Sequence, residues 1–248
     1  MSEHLQHSKL QRRALTPSLF SQYCAYVTKD LRMEFRTREM ITSMIVYAVL
    51  VLTIYGAAIS QTTDAFDVLS IAAGLLWALI VFTSLLGLNR SFAHEVHNGC
   101  LDAVLMSPVE RSVIFIAKMT TNLIFLAIVE LVVVPLFFVM FLSGTPLGPH
   151  AWQIIIPLFV GTWGVAAVGT LLATMTLDTR GKDVLLAILF IPLVFPLLWA
   201  CVSATGVLLL GVEGTWPLFI KSIALAAGYD VMMTAAAWAL YEFTVSGS

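Results

Sequence analysis

Six stretches of this 248-residue chain are long and apolar enough to cross a lipid bilayer. A crossing takes about 20 consecutive apolar residues. The stretches at 40–63, 68–89, 151–177 and 184–212 carry no charged residue at all. The third in chain order, 113–142, holds Lys118 near its start and Glu130 in its middle. The sixth, 216–243, holds Lys221 near its start and Asp230 at its centre. Barrel strands would read as segments of about 10 residues with alternating polarity. These stretches are apolar on every side, so the predicted fold is an all-α integral membrane protein with six transmembrane helices.

Composition excludes the other broad classes. Charged residues make up 11% and hydrophobic residues 59%, whereas a soluble domain carries roughly 25% charged residues. Such a chain cannot cover a soluble surface, and it is too apolar to stay disordered. A net charge of -2 argues against a nucleic-acid partner. Three cysteines without CxxC or finger spacing give neither a disulfide framework nor a zinc site.

Basic residues set the expected orientation. Lys9, Arg12, Arg13, Lys29, Arg32, Arg36 and Arg38 precede the first span. Arg90, Arg111 and Lys118 flank the loop after span two, and Arg180 and Lys182 lie in the loop after span four. The opposite half holds Lys221 alone. The twelve-to-one bias predicts that both termini are cytoplasmic.

Residues 1–39 do not read as a signal peptide, because charges continue to Glu39 with no apolar core before it. Thr16-Pro17 reads as a helix start, with Thr16 as cap and Pro17 in the first turn. Phe20, Tyr23, Val27, Leu31 and Phe35 then recur at spacings of three and four, with Lys29, Arg32, Arg36 and Arg38 on other faces. That pattern predicts an amphipathic helix in the cytoplasmic interface. A solvated helix packed on a partner is the other reading. No second domain is apparent, so 1–248 reads as a single membrane domain with 1–39 as its cytoplasmic tail and interfacial helix.

No residue set reads as an enzyme. There is no GxxxxGK[ST] nucleotide loop and no GxSxG nucleophile signature. His94-Glu95-Val96-His97 is not HExxH, because the second histidine comes one residue early. His94 and His97 can share a helical face and hold a metal or haem iron. Two histidines beside a basic loop are more often simply solvated.

The segment between spans two and three carries the most information. Leu101, Val104 and Leu105 form a small apolar stripe on a short helix that Ser107-Pro108 ends. A short amphipathic helix on the cytoplasmic side either docks a soluble partner or rests on lipid headgroups. Glu95, Gly99, Leu101, Asp102, Leu105, Ser107 and Pro108 resemble the cytoplasmic loop of ABC-type export permeases, with an acidic residue, a glycine and a leucine-rich turn closed by Ser-Pro. Gly87-Leu88-Asn89-Arg90, Phe92-Ala93, Gly99 and Leu101 resemble, more narrowly, the haem exporter B subunit of cytochrome c maturation, the CcmB family. So do Lys29-Asp30-Leu31-Arg32, Val129-Glu130-Leu131 with Pro135, Gly169-Thr170-Leu171, Arg180-Gly181-Lys182-Asp183, Asp230 and Tyr241-Glu242. His94, Asn98 and Cys100 depart from the family pattern.

The resemblance implies a non-catalytic ABC permease subunit of the bacterial inner membrane. It implies a separate ATPase subunit of A type that binds the ATP, haem-handling membrane subunits C and D, and a second copy of this chain. No cofactor is expected on the chain itself, and haem is the implied substrate or the load of a released carrier. Phe92, Glu95, Gly99, Leu101, Asp102, Leu105, Ser107 and Pro108 become the expected coupling segment for the ATPase. An export permease for a drug or polysaccharide, a non-transporting scaffold and an intramembrane hydrolase are the alternatives, the last lacking a paired nucleophile and base.

Glu130 and Asp230 lie near mid-bilayer depth without a basic residue at similar depth. A charge there costs at least ~3 kcal/mol on insertion scales, and such residues usually face the bundle interior. Either they form a polar patch on a substrate path or a conformational switch, or they are neutral hydrogen-bonding links between helices, each worth ~0.6 kcal/mol. Gly161, Gly164, Gly169 and Ala173 are expected to let a neighbour approach span four closely. Pro192 and Pro196 are expected to kink span five.

Overall fold

Each apolar stretch folds as one long helix, since inside a bilayer a helix satisfies its own backbone hydrogen bonds. The structure is a computed structural model; it describes residues 18–60, 68–97, 111–143, 145, 147–176 and 182–246. Helix α1 spans Leu19–Thr37 and precedes six membrane-length helices. These are α2 (Glu39–Ser60), α3 (Val68–His97), α4 (Arg111–Phe141), α5 (Ile155–Met175), α6 (Lys182–Leu210) and α7 (Trp216–Ser246). A single 3-10 turn, Ala151–Ile154, leads into α5. No strand occurs among the described residues.

Helix α5 is the centre of the bundle and packs on α3, α4, α6 and α7. From Gly161 to Ala173 every residue but Trp163 is buried. Its glycines explain how so many neighbours fit. A side chain at Gly161 would strike the ring of Trp77 on α3, and one at Gly169 would strike Leu88 on the same helix. A side chain at Gly164 would strike Leu197 of α6 and the carboxylate of Asp230 of α7. The three glycines expected on span four are therefore notches, each filled by a named side chain, while Ala173 is buried on the same helix.

Polar links tie the same helices across the notches. The Trp77 Nε1–H donates to Thr205 Oγ1 at 2.9 Å, joining α3 to α6 in a buried site. Asn122 Nδ2 donates to Thr170 Oγ1 at 2.9 Å, joining α4 to α5. The Tyr229 hydroxyl on α7 donates to the Leu193 carbonyl between the two prolines of α6.

Helix α1 meets α2 at an elbow one residue long. Arg38 adopts a left-handed conformation at φ 56° and its N–H donates to the Glu34 carbonyl at 2.6 Å. The Glu34 side chain then accepts from the Met40 and Ile41 N–H groups at 2.9 and 3.0 Å. Those N–H groups at the start of α2 have no partner within the helix, so a carboxylate satisfies both donors and the helix dipole. Residues 16 and 17 lie outside the described residues, and the cap is Ser18, whose hydroxyl accepts from the Ser21 N–H at 3.3 Å.

The face of α1 that meets the bundle is polar. Gln22 and Asp30 are its buried residues, and the helix lies against α4. Asp30 forms an ion pair with Lys118 of α4 at 2.9 Å, and the Tyr23 hydroxyl donates to Thr120 Oγ1 at 3.1 Å. Of the apolar stripe Phe20, Tyr23, Val27, Leu31 and Phe35, the two end rings, Phe20 and Phe35, are exposed.

The notches give a direct test. Gly161→Ala is expected to cost about 1–3 kcal/mol by overpacking, seen as a lower melting temperature of the detergent-solubilised protein. Gly228→Ala, whose side chain would meet nothing within 4 Å, is expected to cause no fall.

Candidate functional site

Two regions carry the residues singled out by the sequence. The first is the α1 end of the bundle. At 1.5 Å per residue a 30 Å hydrocarbon core is crossed by about 20 residues, and α3 runs for 30. The membrane-length part ends at Asn89, so 90–97 project beyond it on the side of α1. Phe92, His94, Glu95 and His97 therefore lie on a continuous extension of span two and not on a separate helix. The reason is local: no helix breaker stands between Leu88 and His97. Only the backbone of 90–97 is described, and Gly99, Leu101, Asp102, Leu105, Ser107 and Pro108 lie outside the described residues. Among the described residues no three His, Cys, Asp or Glu side chains come together as a metal-binding group.

The second region is at membrane depth, where the two carboxyls have different surroundings. Glu130 of α4 accepts a hydrogen bond from Thr162 Oγ1 of α5 at 2.6 Å. Beside it a small cavity of about 10 Å³ is lined by Thr83, Ser84 and apolar side chains of α2, α3 and α4. Asp230 of α7 is buried, and its Oδ1 has no hydrogen-bond partner. One turn further along α7, Thr234 Oγ1 accepts from the Trp163 Nε1–H at 3.3 Å. The structure does not bring Glu130 and Asp230 together: they bracket α5, one held by Thr162 and the other beside Gly164.

Sequence motifs that are far apart in the chain meet here. Leu88 of the 87–90 motif fills the notch at Gly169 of the 169–171 motif, and Asp30 of the 29–32 motif pairs with Lys118. Sequence reading missed Thr162, Thr170, Lys118 and Trp77 as partners. Lys118 stands out only as a basic residue of the cytoplasmic half, and a threonine or tryptophan in a span is unremarkable until its neighbour is known.

A sequence model of the CcmB protein family matches residues 21–242, which take in all six membrane-length helices. The chain belongs to the CcmB family. It is similar to the heme exporter protein B of Pseudomonas aeruginosa, at 23% identity over 76% of this chain and 81% of the relative. The heme exporter protein B of Rhodobacter capsulatus is 26% identical over 70% of this chain and 78% of the relative. That of Haemophilus influenzae is 21% identical over 69% and 76%. The matched CcmB region thus contains the α1 elbow, the α5 notches and both carboxyls.

The Glu130 link is testable. Thr162→Val keeps the volume and removes the donor, leaving the carboxyl unmatched at about 1–3 kcal/mol. Glu130→Gln keeps an acceptor for Thr162. The valine variant is expected to melt lower than wild type and the glutamine variant close to it; equal melting of the two would show that the bond is not a working link.

Proposed function

We propose that this chain is the membrane permease subunit of an ATP-driven complex for cytochrome c maturation, acting in haem export or in release of a haem carrier. The observation that carries the reading is membership of the CcmB family over residues 21–242. Six membrane-length helices support a multi-pass permease. ATP hydrolysis belongs to a separate A-type ATPase subunit, haem handling to membrane subunits C and D, and two copies of this chain pair in the working complex.

Both termini face the cytoplasm in this proposal, supported by the twelve-to-one basic bias. The α1 elbow and the projecting end of α3 then lie on the ATPase side. The coupling segment starts at Phe92 and Glu95 and continues through Gly99, Leu101, Asp102 and Leu105 to Ser107 and Pro108. Its leucines supply an apolar contact, and a rigid α3 carries movement of the ATPase to the Leu88–Gly169 contact and so to α5.

Copurification tests this coupling. A Leu101→Asp, Leu105→Asp double variant places two charges on the apolar stripe. It is expected to insert in the membrane at normal level and to lose the ATPase subunit. Normal copurification of an ATPase from that variant would remove the segment from the docking surface.

A further inference from the structure

Helix α1 presents three faces. Gln22 and Asp30 lie on the face turned to α4. At 3.6 residues per turn, Phe20, Val27, Leu31 and Phe35 share a second face, whose two end rings are 75% and 53% exposed. Lys29, Arg32 and Arg36, spaced by three and four, share the third with Ala25 and Thr28, and all five are exposed. An open space of about 880 Å³ lies over this third face, and among the described residues no acidic side chain lines it. Lys29 sits over the Tyr26 ring and pairs with Asp30 at 3.5 Å, and the other oxygen of Asp30 pairs with Lys118. Arg32 and Arg36 have no ion-pair partner among the described residues.

The depth of α1 decides what can neutralise this charge. Thr37 ends α1, and the first membrane-length helix begins at Glu39. Further back, α1 is tied to Lys118 and Thr120, in the first third of the membrane-length run Val113–Phe141 of α4. At 1.5 Å per residue those contacts lie about 10 Å inside the end of that run. An interfacial helix buries its apolar face about 5–10 Å into the headgroup boundary, so α1 has the depth of the bilayer surface. With Phe20 and Phe35 turned to acyl chains, the basic face meets headgroups. A helix standing clear of the lipid to receive a soluble partner would leave both rings in water. The chain's own first 17 residues hold Lys9, Arg12 and Arg13 against Glu3 alone, the wrong charge to cover a basic face.

We propose that the Lys29–Arg32–Arg36 face of α1 holds the headgroup of an anionic phospholipid, with the guanidinium groups of Arg32 and Arg36 on its phosphate. The planar guanidinium fork matches two phosphate oxygens at once. A zwitterionic headgroup fits less well, because its ammonium faces three cations. A lipid held here anchors α1, and through the Arg38 elbow and the Asp30–Lys118 pair it steadies α2 and α4 against the bilayer surface. This goes beyond the transport reading and stands without it.

The test titrates the detergent-solubilised full chain with phosphatidylglycerol or phosphatidylethanolamine and reads the bound lipid by native mass spectrometry. Phosphatidylglycerol is expected to bind about tenfold more tightly, the scale of basic side chains meeting an anionic headgroup. Arg36→Gln is expected to weaken that binding about fivefold, the scale of one such side chain, and Arg32→Gln with Arg36→Gln to abolish the preference between the lipids. Arg38→Gln removes the same charge at the elbow, outside the lining of this face, and is expected to leave the preference unchanged. All three arginines are exposed, and unchanged melting temperatures confirm folded variants. Equal weakening by Arg36→Gln and Arg38→Gln would mean diffuse attraction by charge and overturn the proposal. Equal affinity of the wild-type chain for the two lipids would overturn it too. Displacement of phosphatidylglycerol by inorganic phosphate in large excess would assign the face to a free anion and overturn the lipid. Unchanged lipid binding in the double variant, with loss of a copurifying ATPase, would assign the face to a protein partner and overturn it as well.

Discussion

The bundle depends on how closely its neighbours approach α5. Lipid tails are as apolar as leucine side chains, so burial alone does not draw membrane helices together. What remains is close packing and a few interhelical hydrogen bonds. Gly161, Gly164 and Gly169 provide the first, receiving Trp77, Asp230 with Leu197, and Leu88. Thr162, Trp163 and Thr170 provide the second, toward Glu130, Thr234 and Asn122. One short run of α5 thereby fixes the register of α3, α4, α6 and α7. The same run leaves little slack, because a single methyl group at a notch meets an aromatic ring, a carboxylate or a leucine.

This arrangement distinguishes two carboxyls that look alike in the sequence. Glu130 has a donor on α5, and the link joins α4 to the hub. Asp230 has none at Oδ1, and it lies where α5 and α7 form two walls of an open cleft. The first is matched by a partner on the hub, and the second is seated in the space left by Gly164.

The spans were legible because uncharged runs of bilayer length have few other uses, and α1 was legible from its spacing of apolar residues. The small stripe of span four was legible as a site of close approach. The identity of each partner was not. Asp30 and Lys118 are distant in the chain, and their pairing depends on the angle that the Arg38 elbow and the Glu34 cap impose on α1. The segment after span two read as a short helix of its own, yet nothing in its first residues breaks the preceding helix, and α3 runs on to His97.

The claim that organises the account is that a CcmB-family chain built around this hub serves cytochrome c maturation. Deleting its gene from a host that makes c-type cytochromes, and staining membranes for covalently bound haem, measures it most directly. The account predicts loss of c-type cytochromes with b-type cytochromes and other exported products retained, restored by the wild-type chain. Normal levels of covalently bound haem in the deletion strain would contradict it.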